Sequence, residues 1–554
     1  MNKTPTSEKE KQKLRGGYYT PLKITDFLTN WALKKYDDSK NILEPSMGDG
    51  NFIISISKAL LEKGVTKNRI GSNVYGVELF PEEIRKAKKR LVDNGYNIKN
   101  YSLLAGDYFH INQKRLGKKK FDIILGNPPF IRYQNFPIKQ RTTALLYLNS
   151  LGFHPNKLTN AWLFFLLASV ISLKDQGRIA MVVPAELLQV KYASETRKFL
   201  SNYLSKITII SFKKLVFDNI QQEVVLFLGE KNGDYRDKID LVEVESEREL
   251  GQYYNKIESP KHFKPINHDT DKWTQYFLSK SEILLLKKTS KNKKILRMRD
   301  LMNVDVGIVT GKNEFFCVDD DTVNKYNLRE FIKPLVGRTS HLNGGAIFRK
   351  SDWSKIKIDG NKSYLFSYDN PVSAKTPPGV KKYIKYGERN NFHTGYKCRI
   401  RKIWHSIPSI WTPDAFLFRQ IHDYPKLVLN SSKTLSTDTI HRVRINKEYD
   451  RKLVIGSFFN SLTFAFSEIY GRSYGGGVLE LEPNEAEDLP TPLFSTSEVN
   501  LNLIDDLLRK KQIFDVLDYV DNILLKKELH LSAKEINALR GIWLKLSKRR
   551  HNRR

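Results

Sequence analysis

The sequence predicts an α/β protein in which a doubly wound, mostly parallel sheet is followed by a second domain of mixed α+β character. Three observations predict this. Between residues 41 and 228 short apolar runs alternate with stretches of helical periodicity, the pattern of strand–helix crossovers. A glycine-bearing loop, Glu44-Pro45-Ser46-Met47-Gly48-Asp49-Gly50-Asn51-Phe52, falls between the first strand and first helix of that alternation, where open sheets bind ligands. Beyond residue 300 the alternation gives way to short strands, many aromatics and turn clusters such as Asn343-Gly344-Gly345 and Gly475-Gly476-Gly477.

In chain order, residues 41–43 read as a strand and 52–62 as a helix. Residues 74–77 form a second strand, followed by a helix over 82–94 with Lys and Arg on its exposed face. Strands are expected at 102–104 and 122–125, a helix at 161–173, and a fifth strand at 178–183. Residues 207–212 and 224–228 close the sheet as a hairpin. After Gly229 the periodicity weakens and Lys, Asp, Glu and Ser become frequent. From residue 499 apolar positions return at helical spacing, ahead of a basic tail containing Lys545, Lys548, Arg549, Arg550, Arg553 and Arg554. The tail reads as solvated, or more sharply as a phosphate contact. These shifts divide the chain into a polar arm over 1–15, expected to be disordered without a partner, then 16–250, a linker over 251–299, 300–495, and a helical basic segment over 496–554.

The chain has 554 residues, with 93 Lys and Arg against 61 Asp and Glu, a net charge of +32. That excess suits a polyanion, nucleic acid first, although a merely soluble basic surface has the same composition. The longest apolar run, 161–173, is too short for a membrane span. The charged N-terminus does not read as a secretory signal. Cys317 and Cys398 have neither metal-ligand nor disulfide-framework spacing, so a cytoplasmic protein without a metal is expected.

The most informative segment is Phe121-Asp122-Ile123-Ile124-Leu125-Gly126-Asn127-Pro128-Pro129-Phe130, an apolar strand that runs straight into Asn-Pro-Pro-aromatic. Pro128 and Pro129 end the strand and stiffen the backbone. The Asn127 side chain and the Pro128 carbonyl then form a rigid pair of acceptors. An aromatic exocyclic amine such as adenine N6 is a poor nucleophile because its lone pair is delocalised. Two acceptors on its hydrogens draw the nitrogen toward tetrahedral geometry, and preorganised acceptors need no reorganisation. Phe130 is placed to stack on the base. The alternative is a proline-rich turn at a strand end.

The glycine loop lacks the third glycine of a dinucleotide fingerprint, and its Glu44 and Asp49 repel pyrophosphate but suit the ammonium of a methionine moiety. Glu78, in Val74-Tyr75-Gly76-Val77-Glu78, ends the second strand where a ribose-binding acid belongs. Asp107, in Ala105-Gly106-Asp107-Tyr108, follows the third strand and is able to accept from a cofactor adenine amine. Each acid alone reads as a surface or capping residue. Together they outline a cleft at the carboxyl edge of the sheet.

On these residues the sequence resembles the gamma-class, adenine-N6 amino-methyltransferases of restriction–modification systems, over at least residues 15–495. The segment Gly16-Gly17-Tyr18-Tyr19-Thr20-Pro21 looks like the family's N-terminal cofactor motif. The segment 44–52, Glu78 and Asp107 match its three following motifs, and Asn127–Phe130 its catalytic motif. The resemblance implies the class I S-adenosylmethionine-dependent methyltransferase fold. It implies S-adenosyl-L-methionine held by Thr20, Glu44, Ser46, Gly48, Gly50, Glu78, Asp107 and Phe165, with Phe164 the alternative to Phe165. It places Asn127, Pro128, Pro129 and Phe130 at the reaction, and Phe217 against a flipped base. By the same resemblance 16–250 is the catalytic domain and 300–495 the target-recognition domain. In the latter, Tyr396, Arg399, Arg401, Lys402, Trp404 and Trp411 interleave base and aromatic, either to meet DNA or as a folded basic surface.

The expected activity is transfer of a methyl group to adenine N6 in double-stranded DNA by a monomer, in line, without a metal or covalent intermediate, alongside a separate cognate restriction endonuclease. Alternatives are methylation of protein glutamine or of RNA, or a catalytically silent DNA-specificity protein.

Overall fold

The computed structural model describes residues 19–117, 119–155, 159–214, 223–232, 237–257, 263–266, 272–342, 344–474, 476–496 and 498–552. The arm over 1–15, Gly16 to Tyr18 and Phe217 lie outside the described residues. The chain divides between Ser279 and Lys280 into two compact units.

The first unit is built on one nine-stranded sheet. Its strands are β1 (Ile42–Glu44), β2 (Val74–Glu78), β3 (Ser102–Ala105), β4 (Phe121–Gly126), β5 (Leu173–Pro184), β6 (Lys206–Phe212), β7 (Val224–Glu230), β8 (Lys238–Val244) and β9 (Lys264–Pro265). The order is β3-β2-β1-β4-β5-β7-β6-β8-β9. Strands β3, β2, β1, β4 and β5 run parallel. Strand β7 is antiparallel to β5 and to β6, so the expected hairpin forms, with β7 inserted between β5 and β6. The order reverses direction at β1, so the switch point between β1 and β4, where open sheets bind ligands, falls at their carboxyl ends.

Helices α1 (Leu22–Ala32), α2 (Asn51–Glu62), α3 (Pro81–Asp93), α4 (Tyr108–Lys114), α5 (Ile138–Ser150), α6 (Ala161–Ile171), α7 (Ser194–Tyr203) and α8 (Leu250–Ile257) accompany the sheet. Three show a local cause plainly. Pro81 sits at the start of α3 with Glu82 and Glu83 in its first turn, where fixed φ and negative charge both favour a helix N-terminus. Asp107 caps α4 by accepting from the His110 amide at 3.0 Å. Every residue of α6 is buried, which accounts for its unbroken apolar sequence. This helix ends at Ile171, short of the expected 173, because Leu173 already pairs with Phe121 at the start of β5. Strand β8 was not anticipated. Its Ile239, Leu241 and Val244 face the core, but Asp240, Glu243 and the surrounding charged residues mask the alternation.

The second unit, Lys280–His551, holds several small sheets. The largest has five strands, in the order Met302–Asp305, Ile440–Ile445, Ala415–Phe418, Leu427–Asn430, Ile347–Phe348. Beside it an aromatic core forms around Phe315, whose ring stacks on Tyr383 with centroids 4.7 Å apart. Within 251–299 the structure places α8, a helix over Lys280–Ser290 and a strand, Ile295–Arg297, paired with Pro490–Pro492.

The C-terminal helix Ala533–His551 corrects the reading of a solvated tail at Arg550, whereas Lys545 and Lys548 are exposed and Arg553 and Arg554 lie outside the described residues. Ile542, Trp543 and Leu546 are buried, so this face turns inward and carries Arg550 with it. Arg550 is 2% exposed and its guanidinium grips the equally buried Glu468 at 2.9 Å. Lys545 pairs with Glu282. Cys317 and Cys398 are both buried free thiols.

Candidate active site

The site is assembled at the carboxyl edge of the parallel strands. The loop after β1 and the segment after β4 lie side by side: Ser46 Oγ donates to the Asn127 carbonyl at 3.2 Å. This approach depends on Gly126, where a Cβ would lie 3.3 Å from Pro45 Cδ. Gly50, at φ +87°, turns the chain into α2, and a Cβ there would lie 2.9 Å from the Ala87 side chain on α3. The loop is also braced from the N-terminal side. Thr20 is buried, and its carbonyl accepts from Asn51 Nδ2 at 2.9 Å, while the Tyr19 hydroxyl donates to Glu83 at 2.9 Å.

Three of the sequence-predicted acids lie at or just past the ends of β1, β2 and β3. Glu44 is 1% exposed, and its Oε2 has no hydrogen-bond partner among the described residues. Burial, and then the negative charges of Asp49 and Glu78, hold its pKa well above the usual glutamate value. Glu78 accepts from the Gly48 and Phe80 amides, each at 2.9 Å, and burial raises its pKa as well. Asp107 is likewise raised by burial while capping α4. Asp49 belongs elsewhere: its carboxylate pairs with Arg90 on α3, so it braces the loop rather than facing a ligand.

Pro128 is buried, and Asn127, Pro129 and Phe130 are half-buried. Phe130 packs at the margin of the sheet's main apolar core. Of the two adjacent phenylalanines, Phe164 is wholly buried, whereas Phe165 keeps 8% exposure and stacks on Tyr108 with centroids 5.3 Å apart. Tyr108 follows Asp107 directly in sequence, so the Phe165 ring lies against the residue next to Asp107.

In the second unit, Tyr396 is 65% exposed and Arg399 is exposed. Arg401 differs: its guanidinium donates to the Val309 carbonyl at 2.8 Å and lies over the Phe316 ring. Trp404 donates to Glu388, and Trp411 is flanked by the guanidiniums of Arg442 and Arg444 at 4.5 and 4.3 Å.

The sequence reading missed a hydrogen-bonded group beside the Asn-Pro-Pro-Phe turn, made by Asn160, Glu186 and Tyr192. An Asn ahead of an apolar helix looks like an ordinary cap, so nothing in the sequence marked it. Among the described residues no group of His, Cys, Asp or Glu is arranged to hold a metal. Among them, too, no single helix is long and apolar enough to cross a membrane.

An open α/β sheet with a glycine loop, successive strand-end acids and an Asn-Pro-Pro-aromatic turn at its switch point defines the class I methyltransferases. Comparison with known proteins agrees. Residues 6–301 match the N-6 DNA Methylase family, and residues 270–525 match the C-terminal domain of the Type II methyltransferase M.Eco57I. The chain belongs to the N-6 DNA methylase family and is a DNA adenine methyltransferase. It is 24% identical over 543 residues to the Type II methyltransferase M.AccI of Acinetobacter calcoaceticus, covering 94% of each chain. It is 25% identical to M.HindII of Haemophilus influenzae, covering 64% of each. Its fold is also similar to that of the Type IIL restriction-modification enzyme MmeI solved in complex with DNA, with a TM-score of 0.59, 13% identity, and coverage of 98% of this chain and 80% of that one.

Proposed function

We propose that this protein uses S-adenosyl-L-methionine to methylate N6 of an adenine within a specific sequence of double-stranded DNA. It acts as a monomer in the cytoplasm and protects host DNA from a separate cognate restriction endonuclease. The observation that carries this reading is the hydrogen bond joining the two loops, Ser46 Oγ to the Asn127 carbonyl, which puts the cofactor-type loop against the Asn-Pro-Pro-Phe turn.

The residues present fit the cofactor. Glu44 offers a buried acceptor without a partner, in an acidic pocket suited to an ammonium group. Glu78 suits ribose hydroxyls, since each of its oxygens keeps a lone pair beyond the one used on a backbone amide. Asp107 suits an adenine amine, with Phe165 beside it as a ring to pack on the base. Thr20, Ser46, Gly48 and Gly50 form the cradle around them. When bound, the cofactor supplies an electrophilic methyl group.

The chain's own part is to prepare the nucleophile. Asn127 Oδ1 and the Pro128 carbonyl accept the two N6 hydrogens and localise the nitrogen lone pair. Phe130 stacks on the base, which has to leave the helix to reach the cleft, and Phe217 is assigned to the same base. No strong base is needed first, because the amine proton leaves to solvent after transfer. The second unit reads the DNA, with Tyr396 and Arg399 exposed for contact and Arg401 holding their segment to the Val309 carbonyl.

The test is methylation of plasmid DNA by the purified protein, followed by mapping of modified bases. N6-methyladenine at one repeated sequence is expected. Modified cytosine, or no DNA modification in a cofactor-binding protein, overturns the reading.

A further inference from the structure

The turn that carries Phe130 is held from a distance. Ile131 N closes a tight turn on the Pro129 carbonyl at 2.9 Å, and the next residues are pinned at three points. The Ile131 carbonyl accepts from the Ala161 amide at 2.9 Å, the Tyr133 amide donates to Asn160 Oδ1 at 3.0 Å, and the Tyr133 carbonyl accepts from Arg141 at 3.1 Å. Asn160 occupies the N-cap position of α6, yet its side chain makes no capping hydrogen bond. An Asn there ordinarily satisfies an amide of the first helical turn. Here the carboxamide turns away instead. Its oxygen takes the Tyr133 amide, and its nitrogen donates to Glu186 Oε2 at 3.2 Å and to the Tyr192 hydroxyl at 2.9 Å. Tyr192 in turn donates to the same Glu186 oxygen.

Glu186 lies two residues past the end of β5, whose neighbour β4 leads into Asn127; Gly126 and Met181 are direct partners in that pair. The network therefore links the carboxyl ends of adjacent strands across the catalytic turn. From this we infer that Asn160, Glu186 and Tyr192 are positioning residues that hold the Asn127–Phe130 turn in the geometry in which it receives the base. The inference rests on the reading of Asn127–Phe130 as the catalytic turn. A carboxylate that accepts two donors is a strong anchor, and it fixes the orientation of the Asn160 amide without touching either substrate. Small losses of alignment at such a turn act on rate rather than on cofactor affinity.

The hydrogen-bond polarity supplies the test. In Asn160→Asp the new carboxylate still accepts from Tyr133 but opposes Glu186. In the double variant Asn160→Asp/Glu186→Gln the donor and acceptor exchange sides, and the net charge of the pair is that of the native protein. Asn160→Asp is expected to lower kcat by roughly 10- to 100-fold, the scale of a misplaced reacting group. The dissociation constant for S-adenosylmethionine should stay within about twofold, and the double variant should regain most of the lost kcat. Tyr192→Phe, a milder change that keeps the packing of the ring, should lower kcat several-fold with the thermal midpoint unchanged, and it serves if Asn160→Asp does not fold. A native kcat in Tyr192→Phe, a double variant no faster than Asn160→Asp, or a loss of cofactor affinity equal to the loss of kcat overturns the inference. Asn127→Ala, assayed in parallel, separates the two readings: if it turns over normally, the catalytic assignment fails first.

Discussion

Asn127 and the two glutamates at the strand ends have separable effects. On the proposed reading, Asn127→Ala removes one oriented acceptor from the target amine, and the turnover measured with labelled cofactor should fall by about 10²-fold or more while cofactor binding persists. Glu78→Ala removes charge-assisted hydrogen bonds, and calorimetry should show S-adenosylmethionine bound about 1.5–3 kcal/mol more weakly. Glu44 has a pH signature. Its folded pKa is raised, so the folded state holds the proton more firmly than the unfolded chain. The stability it contributes is present below the usual glutamate pKa and is lost as pH rises from there through the raised folded value. Glu44→Gln should therefore raise the thermal midpoint of the ligand-free protein at neutral pH and flatten its decline as pH rises above the usual glutamate pKa. The same variant should weaken S-adenosylmethionine. A midpoint that is lower at neutral pH would show the carboxylate to be stabilising and its charge already balanced.

At the scale of elements, one basic segment of the second unit stands out. Residues 371–413 contain nine Lys and Arg and one acidic residue, Glu388, which is engaged by the Trp404 indole. The helix Pro378–Arg389 buries Val380, Tyr383 and Ile384 and turns the exposed Lys382, Lys385 and Arg389 outward. Further along, Lys397, Arg399 and Lys402 are exposed too, and among the described residues none of these six forms an ion pair. Unneutralised cations at this density suit a phosphate backbone. Reversing Lys382, Lys385 and Arg389 to Glu should weaken DNA binding at physiological salt. It should also flatten the plot of log K against log salt by about 0.9 per lost phosphate contact, leaving cofactor affinity unchanged. An unaltered slope would place the DNA elsewhere.

At the scale of the whole molecule, the cofactor-type residues all precede Ser279, and the exposed aromatic-basic segment lies in Lys280–His551. Residues 1–279, once shown to fold by a cooperative thermal transition, should bind S-adenosylmethionine but methylate DNA slowly and without site preference near physiological ionic strength. Flipping a base costs a few kcal/mol that contacts from a reading domain otherwise offset. A folded fragment that methylates the same sites at the full chain's rate would show that the second unit is not the reader. The fragment also needs β8 and β9, which complete the sheet beyond residue 230. A cut at residue 230 would expose the edge of β6, and the truncated chain should aggregate.

Local pattern alone carried the sheet, its glycine loop, the strand-end acids and the Asn-Pro-Pro-Phe turn. Strands buried on both faces leave unbroken apolar runs such as Ile123–Leu125 and Val224–Leu228, and the chemistry at their ends is contiguous in sequence. Strand β8 escaped because Asp240 and Glu243 interrupt its apolar positions, and its burial depends on β6, some thirty residues away. Only the tertiary structure decided which charges are spent on the fold. Asp49 pairs with Arg90 and Arg550 with Glu468, across 41 and 82 residues, and no local pattern encodes such partnerships. The same holds for Asn160, which reads as a cap and instead joins the segment after the Asn-Pro-Pro-Phe turn to Glu186 and Tyr192 beyond β5. A side chain's partner is set by the packing of distant elements, whereas the type of element is set by the periodicity of its own residues.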